Sequence, residues 1–86
     1  MDEEHIVYRF SRNPEEEFRF TLREYKERGY LDIRLWFQPA QGGDMRPTKK
    51  GVTFSVEVLN EVKKGLDRAE KAAGEMALQS ASRPVK

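Results

Sequence analysis

Two neighbouring segments of the chain carry an apolar residue at every second position. In residues 18–23 every second residue is apolar, and the same period of two returns in residues 30–37. This period is typical of β-strands with one buried face. The polar residues 26–29 between the segments predict an antiparallel hairpin, in which Gly29 supplies the positive φ that a tight turn needs. The hairpin is therefore the framework on which the rest of the chain must fold.

The remaining segments extend this framework into a sheet followed by a helix. Residues 6–11 alternate as well, with Ile6, Tyr8 and Phe10 expected on one face, and Asn13-Pro14 breaks the run. Residues 39–50 are predicted as a polar loop and residues 51–54 as a short fourth strand. From residue 56 the apolar residues recur at steps of three and four, which predicts a helix to about residue 78. Ser55 is its expected N-cap.

The fold class expected from these elements is α+β, with a four-stranded curved antiparallel sheet followed by one C-terminal helix. The chain is expected to be a single domain over residues 1–86, with the sheet at about residues 5–54, the helix at about 56–78 and a flexible tail at 80–86. The apolar faces of the two hairpin strands are expected to face the helix, because a sheet with one apolar face needs a cover.

The composition favours association of two copies. Charged residues make up 36% of the 86 residues and hydrophobic residues 37%, and a chain this short buries a small share of its surface. Dimerisation is a standard remedy, so a homodimer is expected. The apolar stripe of the helix is expected to be either core or dimer interface, with the interface at Leu59, Val62, Leu66 and Ala69.

Charge and aromatic residues are concentrated in the strand half. Residues 19–51 carry eight basic residues against four acidic ones, while residues 1–18 carry two against six. Eight of the nine aromatic residues precede Gly42. Cations that follow phosphates and flat rings that stack on any base suit a single nucleic-acid strand, whose base faces are open. The polar face of the hairpin therefore predicts a surface that binds single strands.

Residues 23–37, with the sequence REYKERGYLDIRLWF, resemble the transcriptional coactivator family typified by positive cofactor four, including its short bacterial members. The resemblance continues through residues 45–52, MRPTKKGV, and covers roughly residues 18–67. It implies a homodimer of sheet-plus-helix protomers that binds single-stranded DNA or melted duplex. This chain has only a short acidic start where the coactivator of the family has a serine-rich regulatory arm. Activator-dependent transcription is therefore not implied.

The resemblance and the alternation together select the expected nucleic-acid-binding residues. The stacking ring of the family in the hairpin falls on Tyr25, and its second ring falls on Phe37, whereas simple alternation puts Trp36 on the face of Arg34. A β-bulge at this point is compatible with either ring. The complete expected set is Arg19, Arg23, Tyr25, Lys26, Arg28, Arg34, Trp36, Phe37, Arg46, Lys49 and Lys50.

Structural explanations exist for the same residues. Tyr25 and Trp36 are also compatible with edge or interface aromatics, and Phe37 is as compatible with the core as with a ligand contact. The arginines and lysines are compatible with ordinary solvated charges. Asp32 and the hairpin glutamates are compatible with cross-strand ion pairs.

Catalytic functions find little support in the residues. His5 is the only histidine and no cysteine is present, so neither a histidine-based triad nor a thiolate metal site is expected. No cofactor, no metal and no membrane association are expected, and no enzymatic activity. The predicted function is sequence-non-specific binding of single-stranded DNA in support of transcription regulation, replication or repair. The alternatives are an adaptor that recruits transcription proteins and an RNA-binding variant of the same surface. The expected location is the bacterial cytoplasm at the nucleoid, or the nucleus in a eukaryote.

Overall fold

A computed structural model describes residues 3–76. Four strands come first: β1 (Glu3–Asn13), β2 (Glu16–Tyr25), β3 (Arg28–Phe37) and β4 (Arg46–Ser55). A short 3₁₀ turn (Val56–Val58) leads into helix α1 (Leu59–Glu75). The strands pair antiparallel in the order β1-β2-β3-β4. The predicted fold class, a four-stranded antiparallel sheet followed by one helix, is confirmed.

The β2–β3 hairpin is regular along its whole length and closes with a two-residue turn. Tyr25 pairs directly with Arg28, and both turn residues, Lys26 and Glu27, have positive φ angles of 52° and 65°. This turn geometry matches the twist of the flanking strands. The prediction that Gly29 supplies the positive φ is wrong, because the turn closes before that residue. Gly29 instead lies under Val56, whose methyl groups would be 3.2 Å from an added Cβ.

Strand β4 is longer than predicted and starts at Arg46, inside the expected loop. The pairing with β3 shifts register between Arg34 and Trp36, so that residues 48–50 together oppose the single residue Leu35. The Thr48 hydroxyl closes this bulge, since it donates to the Leu35 carbonyl at 2.8 Å and accepts from the Lys50 N–H at 3.1 Å. The start of β4 was predicted as a loop because it contains Pro47 and the extra residues of the bulge. An edge strand tolerates both a proline and a bulge.

Strand β1 contains two further register shifts, one between Ile6 and Tyr8 and one between Ser11 and Asn13. Ile6 pairs with Thr21 and Tyr8 pairs with Phe20, which leaves Val7 as the extra residue. The predicted alternation is therefore wrong at Ile6, which faces away from Tyr8 and Phe10. The shift places Ile6 on the polar face of the sheet.

The other face of the sheet is apolar and half open. Rings from β1 and β2 form an aromatic cluster with centroid separations of 5.4–6.2 Å, made of Tyr8, Phe10, Phe18 and Phe20. Tyr8 is 61% exposed, and within residues 3–76 the only fully buried hydrophobic side chain is Leu35. The core of the single chain is therefore small.

Helix α1 does not cover this face. The 3₁₀ turn contacts β3, whereas α1 contacts mainly the turn and has no buried residue. Part of its apolar stripe is exposed to solvent, and Leu66 is 60% exposed. The expectation that the apolar faces of the hairpin strands face the helix is wrong within the single chain, because α1 packs mainly against the 3₁₀ turn and not against the strands.

The ends of the helical segment differ from the predicted bounds. Ser55 caps as expected, accepting from the Glu57 N–H at 3.2 Å, but the first turn that it caps is 3₁₀ and the α-helix begins at Leu59. The predicted tail at residues 80–86 lies outside the described residues. In the part of the chain that the structure describes, no helix has the length and apolar character that a membrane span requires.

Candidate nucleic-acid interface

The polar face of the sheet is an ordered lattice of cross-strand rows. Directly paired residues on neighbouring strands point to the same side of a sheet. Four rows follow from the register, each written from β1 to β4: Glu4, Arg23, Tyr30, Ser55; Ile6, Thr21, Asp32, Thr53; Arg9, Arg19, Arg34, Gly51; and Ser11, Glu17, Trp36, Pro47. Cations, carboxylates and rings are thus interleaved on one surface.

Asp32 anchors the centre of this face. Its side chain is nearly inaccessible, and it accepts from Arg34 through both carboxylate oxygens, at 2.8 and 3.1 Å. The Thr53 hydroxyl donates a further bond to Asp32 at 2.9 Å. Arg34 also donates to the Thr48 carbonyl at 3.0 Å. The Arg34 guanidinium is therefore fixed at three points, and it is held there by β3 and β4 together.

The electrostatics of the pair follow from this geometry. Burial alone raises the pKa of Asp32, but hydrogen bonds from Arg34 and Thr53 and the positive charges of Arg34 and Arg23 outweigh it. The pKa of Asp32 therefore lies below its usual range. The hydrogen bond to Asp32 raises the pKa of Arg34 despite its partial burial. Both groups are charged at neutral pH, so the pair is a permanent feature of the face.

Gly51 is required where Arg34 crosses β4. A Cβ at this position would lie 2.7 Å from the Ile33 carbonyl oxygen and 2.8 Å from Arg34 Cζ. Real side chains do not approach this closely, so only glycine leaves room for the guanidinium. This close packing explains why a glycine stands at the β4 end of the row that contains Arg9, Arg19 and Arg34.

Arg19 lies on the ring of Trp36. Its Cζ is 4.3 Å from the ring centroid, and its Nε donates to Glu17. A guanidinium over an indole is a favourable cation–π contact. The Trp36 Nε1 donor is buried without an acceptor among residues 3–76. In this arrangement one face of the ring is occupied by a side chain of the protein itself.

The register separates the two candidate rings near the end of β3. The bulge lies in β4, and β3 pairs with β2 without interruption, so the alternation along β3 is unbroken. Trp36 shares the polar face with Arg34, whereas Phe37 shares a row with Glu16 and Arg46 on the opposite face. The bulge therefore does not turn Phe37 toward the polar face.

The hairpin end and the β4 edge carry the remaining predicted residues. Tyr25 is 50% exposed, and the Lys26 ammonium lies 5.4 Å from its ring centroid. Arg23 pairs loosely with Glu4 at 3.6 Å. Lys49 and Lys50 are exposed at the bulge and make no ion pair within residues 3–76.

The structure thus brings together part of the predicted site. Six of the predicted residues share the polar face: Arg19, Arg23, Tyr25, Arg28, Arg34 and Trp36. Lys26 lies in the turn, and Phe37 and Arg46 occupy the other face. Arg9 is not among the predicted residues, although the register places it on the same face, directly opposite Arg19. Its alternation with Tyr8 and Phe10 was a usable signal, whereas its pairing depends on the bulge at Val7.

Comparisons with known proteins agree with this architecture. A family profile described as Transcriptional Coactivator p15 (PC4) matches residues 13–65, more than half of the chain. The chain belongs to the PC4 family. Membership of the PC4 family supports a DNA-binding function, and the predicted resemblance to a short bacterial-type member is confirmed.

Solved PC4 structures give the same result. In its tetragonal crystal form, the PC4 homolog BPSL1147 from Burkholderia pseudomallei is 28% identical with a TM-score of 0.71, covering 79% of this chain and 98% of that one. Its orthorhombic form gives 29% identity and a TM-score of 0.69, with 77% and 88% covered. A bacteriophage T5 homolog of PC4, implicated in recombination-dependent DNA replication, is 23% identical with a TM-score of 0.55, covering 95% and 88%. This last likeness shows the fold alone. A search of curated proteins gave no significant match.

Proposed function

We propose that the chain binds single-stranded DNA with little sequence preference, as a homodimer, and that it acts by binding without a chemical step. The observation that carries the proposal is the polar face, where rows of arginines and flat rings are adjacent. Arginines attract phosphates through charge, and exposed rings stack on any base. A duplex buries its base faces, so this combination favours a separated strand.

The homodimer is supported by two apolar surfaces that the single chain leaves open. One is the aromatic cluster on β1 and β2, and the other is the helix stripe, in which Leu59 and Val62 are half-buried while Leu66 and Ala69 are exposed. Contiguous apolar patches are uncommon on isolated soluble chains. The helix of a second copy is the cover that we propose for them.

Light scattering at micromolar concentration tests the dimer directly. We expect twice the chain mass of 10.1 kDa, and a monomer mass would contradict the proposal. Leu66→Asp places an unpaired charge in the proposed interface and is expected to give monomers or unfolded chains. Lys63→Asp, at an exposed position of the same helix, is the matched control and should leave the dimer intact.

Fluorescence polarisation with labelled oligonucleotides tests the ligand. We expect oligo-thymidine to bind more tightly than a duplex of equal length. The logarithm of the affinity should fall with the logarithm of salt concentration by about 0.7 for each phosphate neutralised. Arg23→Ala and Lys50→Ala should each flatten this slope. Lys64→Ala removes the same charge from the helix, where Lys64 pairs with Glu61 at 3.5 Å, and should leave the slope unchanged.

The alternatives are decided by the same titration. Weak and equal binding to single strands and duplex would favour a protein-interaction adaptor, for which the exposed helix stripe would be the docking element. Tighter binding to oligo-uridine than to oligo-thymidine would favour an RNA-binding role, in which 2′-hydroxyls are contacted. The cellular role that we propose is support of transcription regulation, replication or repair. The protein would act at the nucleoid of a bacterium or in the nucleus of a eukaryote.

A further inference from the structure

Glu17 on β2 holds two arginines at once. Its Oε2 accepts from Arg19 Nε at 2.5 Å and lies 3.7 Å from the Arg9 guanidinium. The side chains of Glu17 and Arg19 are 15% and 14% exposed, whereas that of Arg9 is 62% exposed. Glu17 and Arg19 thus form a largely buried ion pair, whereas Arg9 is accessible to solvent.

The two arginines belong to a row of three that crosses the sheet. Arg9, Arg19 and Arg34 are directly opposite one another on β1, β2 and β3. Neighbouring strands lie about 4.8 Å apart, and like charges in directly opposed positions repel. Glu17 and Asp32 supply two carboxylates for three guanidinium groups. The row therefore keeps an excess positive charge that attracts an anion.

The middle arginine also covers the ring of Trp36. With Arg19 Cζ 4.3 Å from the ring centroid, no base can stack on that face while the guanidinium remains there. The Trp36 Nε1 donor has no acceptor among the described residues, which is unfavourable for a buried N–H. The closed arrangement thus masks a stacking surface and leaves a donor unsatisfied.

We propose that Arg9, Arg19 and Arg34 form a phosphate-binding row, and that Glu17 holds Arg19 over Trp36 until a nucleic-acid phosphate replaces its carboxylate. The inference rests on the proposed function and adds Arg9 and Glu17 to it. When the phosphate accepts from Arg19, the guanidinium leaves the ring and a base stacks in its place. Glu17 is the positioning residue that couples the two events, whereas Arg34 stays fixed by Asp32 and Thr48.

The protein without DNA provides the first test. Trp36 is the only tryptophan, so acrylamide quenching of its fluorescence reports how well the ring is covered. We expect Glu17→Gln to increase the quenching constant at least twofold. Glu16→Gln is the matched control, because it removes the same charge from a side chain on the opposite face that contacts Arg12 and Asn13. It should quench like the wild type.

Binding of oligo-thymidine provides the second test. Glu17→Gln should bind about fivefold more tightly than the wild type, because its largely buried carboxylate no longer competes with the phosphate for the Arg19 guanidinium, and Glu16→Gln should gain less. Arg9→Ala should reduce the salt slope by about 0.7. Arg19→Ala serves as the second variant if Glu17→Gln fails to fold, and it should expose the ring while weakening binding.

The outcomes separate the two proposals. Wild-type protein that does not bind oligo-thymidine would overturn the proposed function and the phosphate row with it. Wild-type binding together with identical quenching and affinity in Glu17→Gln and Glu16→Gln would overturn this inference alone. Circular dichroism of each variant confirms that the comparison is made between folded proteins.

Discussion

The guanidinium of Arg34 and the carboxylate of Asp32 meet at two points, with Nε 3.1 Å from Oδ2 and a terminal nitrogen 2.8 Å from Oδ1. The two residues are separated by one position on β3 and so lie on the same face. Thr53 donates to the carboxylate, and the Thr48 carbonyl accepts from the guanidinium. The pair therefore joins β3 to β4 at the centre of the candidate interface.

Asp32→Asn is expected to lower the free energy of unfolding by about 3 kcal/mol at pH 7, because the partly buried Arg34 guanidinium loses its charged partner. Urea denaturation followed by Trp36 fluorescence measures the change. Asp44→Asn removes the same charge from an exposed loop residue and should change stability by less than about 0.5 kcal/mol. Equal stability of the two variants would contradict the structural role of the pair.

The contribution of Asp32 is expected to depend on pH. Its pKa is lower in the folded chain than its ordinary value, so the stabilisation is fully present above the unfolded pKa of about 3.9 and is lost as pH falls through the folded pKa. The stability difference between wild type and Asp32→Asn should stay constant from about pH 7 to pH 5 and shrink below about pH 4. Urea midpoints across this range measure it, and a constant difference down to the lowest pH would refute the assignment.

Glu27→Gly is expected to stabilise the hairpin. Glu27 has a φ of 65°, and a left-handed conformation costs a residue with a side chain about 1 kcal/mol that glycine does not lose. Thermal unfolding should show a rise of a few degrees. Glu24→Gly, inside strand β2, should lower the midpoint instead, since glycine weakens a strand interior.

Gly51→Ala is expected to destabilise the fold by about 1–3 kcal/mol, because the added methyl overpacks against the Ile33 carbonyl and the Arg34 guanidinium. Gly65→Ala is the matched substitution in helix α1, where an added Cβ meets open space. It should stabilise by about 1 kcal/mol through helix propensity. Chemical denaturation of both variants measures the change in the free energy of unfolding. A change of the same sign in both variants would contradict the close packing at Gly51.

The rings at the two ends of the interface are expected to contribute to binding separately from stability. Tyr25→Ala should weaken oligo-thymidine binding by about 1–3 kcal/mol for the lost base stack, with little loss of stability because the ring is half exposed. Trp36→Ala should weaken binding, whereas Phe37→Ala, on the other face, should mainly weaken the fold. Loss of affinity in a folded Phe37→Ala protein would instead favour Phe37, as the family resemblance does.

The regular part of the fold was predictable because a period of two survives wherever strands pair without interruption. Strands β2 and β3 satisfy this condition along ten residues each. Both edge strands contain bulges, and there the period fails. The bulge at residues 48–50 is closed by the side chain of Thr48, a contact that no local pattern announces, so the first half of β4 resembled a loop.

The candidate site likewise has features that could be predicted from the sequence and features that could not. The shared face of Arg19, Arg34 and Trp36 follows from alternation and was predicted. The covering of Trp36 by Arg19 was not, because the two residues are distant in the chain and meet only through the β2–β3 register. The helix stripe was predicted as either core or dimer interface, because an apolar stripe indicates burial without saying which chain provides the partner surface.

Pro47 and the bulge beside it protect the β4 edge of the sheet from pairing with strands of other molecules. An unpaired strand at the border of a sheet is a template for further strands, and proteins block it with prolines, lysines and bulges. Strand β4 has all three, in Pro47, Lys49 and Lys50 and the irregular residues 48–50, and β1 is irregular at Val7. Amyloid-like addition of strands at the β4 border is thereby disfavoured, and the broad surfaces of the sheet become the places where another molecule can attach.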